Sequence, residues 1–413
     1  MTSLRAQRVA IARAALALRE SVLAWLSGPD LGGSRESLRA ASPEAWTFFL
    51  RVECCALPLL ARLRQDRLLD DIDDACRAQL LAAESRELQR VLAARLVIRE
   101  LDGIGERAGI RFTLLKGGAI AADGTREPLD LGDVDVLVAP EHTARAWQAL
   151  LANGWTPAAG GLGPADELGA RPHYAPLRSE RHQLPLELHA QADYGLSPAG
   201  VERARESMPI LGYRCIDRLS GARAVAAALR HSVVVHPHRR GHLRDLFLLG
   251  QLLGELDGAD LNRLERDLQG DARRVELLAM LEQSRALARG EPIAEPEVLR
   301  PFVRLKYAAA AGTTPLLGSS SPGWNTWSHV ALERPPTRRA EYARLLRGAT
   351  EHIDPDWSPL RHPGLDSGIA RSLGLPRLVR VARRAGLVIA LVAVGGMIRR
   401  HVAALNSPSK GVD

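Results

Sequence analysis

The sequence is poor in aromatic residues and cysteine, and its apolar runs are short. Aromatic residues make up 4% of the 413 residues, and the four cysteines form no CxxC pair. For Cys54, Cys55, Cys76 and Cys215 we therefore expect buried free thiols in a reducing compartment. The GxSxG and GxxxxGK[ST] motifs are absent, as is a GxGxxG motif followed by a suitable acid. These absences argue against α/β-hydrolases, P-loop enzymes and dinucleotide-binding enzymes.

An apolar run near the C-terminus, residues 385–398, is too short to cross a membrane. It has 14 residues between two arginine pairs, whereas a spanning helix needs about 20. Packing into a core or a dimer is the reading we favour, and contact with an anionic membrane surface is the alternative. At the N-terminus, arginines interrupt the apolar positions, so no signal-peptide core forms. We expect a cytoplasmic protein.

The composition is that of a folded chain rich in helices. Hydrophobic residues make up 46% and charged residues 25%, which is typical of soluble domains. Ala, Leu and Arg dominate, and all three favour helices. The net charge of +7 is compatible with a polyanionic partner, but scattered surface arginines explain it equally well. We predict no stable nucleic-acid partner.

Hydrophobic periodicity divides the chain into four regions. They are an N-terminal helical region at 1–108, an α/β core at 109–196, a helical domain at 197–300, and an irregular or helical remainder at 301–413 that carries the apolar tail. In the first region the predicted helices span 4–27, 43–63 with a break or kink at Pro58, and 76–109. In the core we predict strands at 111–115, 134–138, 173–177 and 184–189, with helices at 117–123 and 140–153. Further helices are predicted at 220–231, 243–256 and 260–289.

Residues 112–138 hold the most informative pattern. A short apolar run ends in Lys116-Gly117-Gly118, and a second apolar run carries Asp133 and Asp135. In a strand, residues i and i+2 face the same side, so the two acids would repel each other unless something compensates. A divalent metal is the usual compensation, and carboxylates suit Mg²⁺, which also binds phosphate oxygens. Two solvated acids on an exposed edge strand are the alternative.

These motifs resemble the DNA polymerase β superfamily of nucleotidyltransferases, and within it a bacterial family of uncharacterised nucleotidyltransferases. That family reads Leu-Leu-Lys-Gly, then Gly-Asp-x-Asp-x-Leu-Val, and this chain matches at Lys116-Gly117 and at residues 132–135. The resemblance spans roughly residues 40–260. It implies an α+β fold, with a polymerase-β-like nucleotidyltransferase core (a small mixed sheet with helices) embedded in a largely helical protein.

The resemblance also implies a set of site residues. Asp133 and Asp135 would be catalytic and would bind Mg²⁺, with Mn²⁺ as a substitute. Lys116, Gly117 and Gly118 would contact the nucleotide phosphates, because glycines let the backbone approach and a helix N-terminus favours anions. The family often has an arginine four residues before the first Asp, where this chain has Leu129. That phosphate contact would pass to Arg126 or be absent.

A third acid would complete the metal site. The superfamily usually takes it from a later strand, and Glu187 in Leu-Pro-Leu-Glu-Leu-His189 is the expected catalytic and metal-binding residue. A solvent-facing Glu on an antiparallel strand is equally open, in which case Asp166, Glu180 or Asp193 would be the ligand. His189 would lie on the same face as Glu187. It is expected to orient a carboxylate or contact the nucleotide's phosphate, and a purely structural histidine is the alternative.

Residues 231–244 contain four histidines and three arginines. His238 and His242 have the spacing of one helical turn, but Pro237 and Gly241 disfavour a regular helix there, so zinc is not expected. The segment forms either a basic rim of the active-site cleft or a solvated loop.

Together these patterns predict a Mg²⁺-dependent nucleotidyltransferase. It would move a nucleoside monophosphate from a nucleoside triphosphate (NTP) onto a small molecule, a peptide or a protein. The resemblance suggests a biosynthetic accessory role. The rival hypotheses are a non-catalytic nucleotide-binding or regulatory protein, and an antitoxin-like partner that keeps the fold without turnover.

Overall fold

The computed structural model describes residues 4–28, 32–157, 174, 176–189, 207–219, 221–235, 239–271 and 273–312. The chain divides into two compact units, Met1–Val9 with Ala308–Asp413, and Ala10–Tyr307. The apolar tail 385–398 and four residues considered above, Asp166, Asp193, Pro237 and His238, lie outside the described residues. Within the described part, no helix is long and apolar enough to cross a membrane.

Helices precede and follow the sheet. Those before it are α1 (Leu4–Leu26), α2 (Gly32–Ala40), α3 (Pro43–Glu53), α4 (Ala56–Gln65) and α5 (Asp74–Ala108). Within and after the sheet come α6 (Lys116–Asp123), α7 (Thr143–Ala152), α8 (Gly221–Arg230), α9 (Leu243–Leu253), α10 (Gly258–Gln269), α11 (Arg274–Arg289) and α12 (Arg300–Gly312). The long helix α5 ends as predicted at Gly109, which takes a left-handed conformation with φ 62°.

The predicted break at Pro58 is wrong. The chain breaks at Cys54, which adopts a left-handed conformation (φ 46°, ψ 49°) and ends α3. Pro58 lies in the first turn of α4, where its missing N–H costs no helical hydrogen bond. The start of α3 is as predicted, since Ser42 Oγ accepts a hydrogen bond from the Ala45 N–H over 3.3 Å.

Seven strands of the described residues form one mixed sheet. They are β1 (Phe112–Leu114), β2 (Val134–Leu137), β3 (Thr156–Pro157), β4 (Leu177–Arg178), β5 (Leu186–His189), β6 (Ser207–Pro209) and β7 (Ile216–Leu219). Their order is β3-β4-β5-β2-β1-β7-β6. The β1–β7 and β2–β5 pairs are parallel, and the other neighbours are antiparallel. This mixed sheet among helices confirms the predicted α+β class.

Three strands were missed, and the first is β3 (Thr156–Pro157), where a loop was expected. We expected helices from residue 197 onward, but Ser207–Pro209 and Ile216–Leu219 pair with each other and extend the sheet beyond β1. The sequences SMP and IDRL lack the apolar alternation that marks a strand. The helix predicted at 260–289 is likewise wrong, because it is divided at Gly270 into α10 and α11.

The two faces of the sheet differ. Alternate residues of the central strands, including Leu114, Val136, Leu188 and Ile216, form the main core with apolar residues of α5 and α7. The intervening residues face the other way. There Leu115, Leu137 and Leu219 make a small apolar cluster with Ala227 of α8. The polar residues of β2 and β5 lie on this second face.

Candidate functional site

Asp135 and Glu187 are neighbours at the centre of the sheet. They are direct partners in the parallel pairing of β2 with β5, and Leu137 lies opposite His189 in the same register. Because residues two apart share a face, Asp135, Glu187 and His189 all project from the face opposite the main core. The apolar residues between them point into the main core, so the acids lie outside that core.

Both carboxylate oxygens of Asp135 have a cationic or hydrogen-bonding partner. His189 Nε2 donates a hydrogen bond to Oδ1 over 2.8 Å, and Lys116 Nζ lies 2.8 Å from Oδ2. The three side chains are 1–9% exposed. His189 Nε2 also lies 4.0 Å from Glu187 Oε2. Orienting a carboxylate was one of the two functional roles that the sequence left open for His189, and this geometry fits it.

Three side chains are placed where they could hold a metal ion. One ligand atom from each of Asp135, Glu187 and His189 lies within 4.8 Å of the others. This group, found among the described residues, does not include Asp133, which precedes β2 and is half-buried. The charge of Asp133 nevertheless acts on both Asp135 and Glu187. A donor set of clustered carboxylates fits a divalent cation such as Mg²⁺ or Mn²⁺.

Burial and mutual repulsion disfavour the ionised forms of two of the three acids. Burial, together with the charges of Asp133 and Asp135, raises the pKa of Glu187 to about 8. Burial and the charge of Asp135 raise the pKa of Asp133 as well. Burial alone would raise the pKa of Asp135, but Lys116 and His189 outweigh it and hold that pKa below its ordinary value. Glu187 therefore keeps its proton at neutral pH, and a divalent cation would favour its ionised form.

The turn from β1 into α6 places Lys116 against these acids. Lys116 is the first residue of α6 and has a φ of 51°, a left-handed conformation that costs a residue other than glycine about 1–2 kcal/mol. Leu115 provides no side-chain cap, and the first turn of α6 contains no acid. The positive end of the α6 dipole therefore has no anionic side chain of its own helix.

Gly117 and Gly118 have different surroundings. A Cβ at Gly117 would lie 2.6 Å from Leu131 Cδ2, so α6 can pack this closely on Leu131 only where the side chain is absent. A Cβ at Gly118 would lie 3.8 Å from Leu114 Cδ2, an ordinary contact distance. Packing therefore requires glycine at the first position and not at the second.

Arg126 has its own acidic partners. Its Nε lies 3.2 Å from Asp123 Oδ2, and its Nη2 contacts Glu255. The cations that lower the pKa of Asp133 are instead Lys116, Arg239 and Arg244. Arg126 is therefore engaged by these two acids, and its contact with phosphate stays a prediction.

The segment 239–244, which runs into α9, carries cations for which the sequence predicts either a basic rim of the active-site cleft or a solvated loop. Arg239 and Arg244 act on Asp133, as expected of a basic rim. Arg240 and His242 of the same segment are buried instead. Arg240 Nε donates to the Val233 carbonyl over 2.9 Å, and His242 Nε2 donates to the Val52 carbonyl over 2.8 Å.

A buried ion network holds this segment in place. Glu53 accepts a hydrogen bond from the Leu243 N–H over 2.8 Å and one from Lys306 Nζ over 2.7 Å. Arg19 Nη2 donates to the Gly241 carbonyl over 2.7 Å. The side chains of Arg19 and Glu53 are 0% exposed. Local sequence pattern could not predict this network, because its members are far apart along the chain.

Residues 49–289, more than half of the chain, match the family described as uncharacterised nucleotidyltransferase. The chain belongs to this family. The match confirms the resemblance drawn from residues 114–135. The mixed sheet, with Gly117 and Gly118 in the first turn of α6, is consistent with the polymerase-β-like core expected of a nucleotidyltransferase. Comparison with curated proteins and with solved structures gave no match.

Proposed function

We propose that this protein is a divalent-metal-dependent enzyme that transfers a nucleoside monophosphate from an NTP to a small molecule, a peptide or a protein. The observation that supports the proposal best is the side-by-side placement of Asp135 and Glu187, with Asp133 within electrostatic reach. Buried carboxylates that repel one another fit a site for a cation. We propose the cytoplasm as the compartment, since it supplies NTPs and keeps thiols reduced.

Asp133, Asp135 and Glu187 would hold Mg²⁺, with Mn²⁺ as a substitute. The metal would neutralise charge on the transferred phosphoryl group. His189 would keep Asp135 in the orientation that its 2.8 Å hydrogen bond defines. An imidazole ligand is less suited to Mg²⁺ than a carboxylate, so we assign His189 to positioning and Asp133 to the metal.

Lys116 and the N-terminus of α6 would bind the triphosphate. The Lys116 ammonium lies 2.8 Å from Asp135, so it sits between the acids and the positive end of α6. In the reaction, an acceptor hydroxyl would form a bond to the α-phosphorus, the bond to the β-phosphate would break, and pyrophosphate would leave. The chain's own contribution is mainly positioning and charge compensation. A role as an accessory enzyme in biosynthesis is part of the proposal.

The test is turnover with each of the four NTPs labelled at the α-phosphate, with Mg²⁺ or Mn²⁺, in an extract of the source cells. We expect pyrophosphate release matched by a labelled product, and neither with Asp133→Asn. Binding of NTP without any turnover would support the rival hypothesis, a non-catalytic nucleotide-binding or regulatory protein. A protein that binds no NTP at all would contradict both.

A further inference from the structure

Arg244 lies beside the N-terminus of α6, although it comes from α9. A Cβ built at Gly117 would be 3.6 Å from Arg244 Nη2. The side chain of Arg244 is 13% exposed, so its guanidinium is largely enclosed and has little freedom to leave this place. A Cβ at that distance would be in ordinary van der Waals contact, so the guanidinium lies directly against the first turn of α6.

The guanidinium of Arg244 has an N–H donor that makes no hydrogen bond within the described part of the chain. Its Nε is buried and donates to none of the residues that the structure describes. Its Nη1 lies 3.9 Å from Asp245 Oδ1, beyond hydrogen-bond distance. Asp245 instead accepts a hydrogen bond from Ser232 Oγ over 2.8 Å.

The other acid near Arg244 is also engaged. Both oxygens of Asp130 accept hydrogen bonds from Arg90 Nη1, over 2.9 and 2.7 Å. Asp133, whose charge also acts on Arg244, is one of the acids proposed to bind the metal. Arg244 therefore faces the site with little of its hydrogen-bonding capacity used by carboxylates.

We propose that Arg244 binds the triphosphate of the nucleotide, between the N-terminus of α6 and the metal-binding acids. This inference rests on the proposed function and gives to Arg244 the contact that the sequence assigned to Arg126. A planar guanidinium can donate two parallel hydrogen bonds to phosphate oxygens, which a lysine cannot do. Lys116 is paired with Asp135, so the second cation enlarges the anion site.

The backbone around Arg244 is fixed before any ligand arrives. Glu53 holds the N–H of Leu243, Arg19 holds the carbonyl of Gly241, and His242 holds the carbonyl of Val52. All three bonds anchor the residues immediately before Arg244 to α1 and α3. A cation held in this way loses little entropy when phosphate binds.

The experiment compares the affinities of wild type, Arg244→Gln and Arg244→Lys for NTP, NDP and NMP, each with Mg²⁺, by calorimetry. For Arg244→Gln we expect a loss of at least about tenfold for NTP that shrinks to less than about twofold for NMP. The NTP affinity of Arg244→Lys should lie between those of wild type and Arg244→Gln, because lysine keeps the positive charge but cannot donate two parallel hydrogen bonds. Arg289→Gln is the matched control, since it removes a charge from a side chain that is 61% exposed.

Each outcome decides the proposal. The proposal is overturned if Arg244→Gln loses affinity for NTP and NMP equally, or if neither Arg244 variant loses affinity for NTP. A loss of NTP affinity in Arg126→Gln, with none in Arg244→Gln, would return the contact to Arg126. If Arg244→Gln does not fold, the NTP-to-NMP comparison in Arg244→Lys decides alone. If wild type binds no NTP, the proposed function itself is wrong. If wild type binds NTP and the Arg244 variants bind it equally well, only the inference about Arg244 is wrong.

Discussion

Asp135 and Glu187 are paired across parallel strands, yet their surroundings drive their protonation in opposite directions. Lys116 and His189 stabilise the Asp135 carboxylate, whereas burial and two neighbouring carboxylates raise the pKa of Glu187 to about 8. Asp135 is therefore charged at neutral pH, whereas Glu187 is neutral until a cation or a rise in pH removes its proton. This difference leads to distinct expectations for the individual acids.

Asp133→Asn and Asp135→Asn should both reduce transfer to background but should differ in stability. Asp133 has a raised pKa, so a neutral replacement relieves repulsion and the metal-free protein should unfold at the same temperature or higher. Asp135→Asn removes the carboxylate that is paired with the ammonium of Lys116, a side chain 9% exposed. Removing one partner of a buried pair costs about 3–5 kcal/mol.

Thermal unfolding in EDTA separates the two variants. Equal melting temperatures for them would contradict the assignment of the Lys116 pair to Asp135. Full transfer activity in either variant would remove that acid from the mechanism.

Glu187→Gln should stabilise the metal-free protein in a pH-dependent way. The pKa of Glu187 is raised from 4.5 in the reference state to about 8 in the fold. The unfolded chain therefore ionises first, and wild type loses stability as pH rises through this interval. The melting temperature of the variant should equal that of wild type near pH 4.5 and exceed it increasingly towards pH 8.

Exposed Glu180 in the β4–β5 turn provides the matched control, Glu180→Gln, which should show no such trend. Metal titrations supply the second measurement. Wild type should bind Mg²⁺ more tightly as pH rises towards 8 and should release protons on binding. If Glu187→Gln keeps full metal affinity, Glu187 is not a ligand.

Gly117→Ala and Gly118→Ala should have opposite effects. The new Cβ at 117 would overlap buried Leu131 at 2.6 Å, so Leu131 or α6 must shift, and nucleotide affinity should fall with it. At 118 the Cβ has room, and alanine within a helix should add about 0.5–1 kcal/mol of stability. Urea unfolding and NTP binding of the two variants measure this contrast. Equal stability and equal NTP affinity of the two variants would contradict it.

Lys116 offers a test of backbone strain. Lys116→Gly and Lys116→Ala both remove the ammonium, but only glycine relieves the left-handed φ of 51°. The glycine variant should therefore be more stable by about 1 kcal/mol in urea unfolding. NTP affinity should be weakened in both. An alanine variant as stable as the glycine variant would show that position 116 takes another backbone conformation.

Glu53→Gln should strongly destabilise the protein. The charges of Lys306 and Arg19 outweigh the effect of burial and lower the pKa of Glu53 from 4.5 to about 2. Replacing it leaves the buried ammonium of Lys306 without its paired carboxylate, at a cost of about 3–5 kcal/mol, whereas Arg19 keeps its contact with Glu295. Glu84→Gln, which disrupts the exposed pair with Arg64, is the control and should cost at most about 1 kcal/mol.

The pH dependence has a definite sign. A lowered pKa means that the contribution of Glu53 is complete above pH 4.5 and is lost as pH falls towards 2. Acid unfolding of wild type should steepen over this interval, and Glu53→Gln should lack that component. An unchanged acid transition would argue against the ionised network.

The sequence predicted the features that local pattern controls. The length and end of α5 follow from its periodicity and from Gly109, and the placement of Asp135 and Glu187 follows from strand alternation. The break at Cys54 could not be predicted, because a residue other than glycine rarely adopts the left-handed conformation. Arg126 was chosen because it is near Asp133 along the chain, whereas the interaction of Arg244 with Asp133 depends on the packing of α9, which local pattern does not reveal.

The in-register pairing of β2 with β5 links folding to the assembly of the site. A slip of one residue between these strands would move Asp135 from beside Glu187 to beside a leucine. If the slipped strand then turned over to match the pleat of its neighbour, its carboxylate would point towards the core. The same register that buries Val136 and Leu188 also assembles the acids. A one-residue slip therefore cannot keep both the packed core and the paired carboxylates.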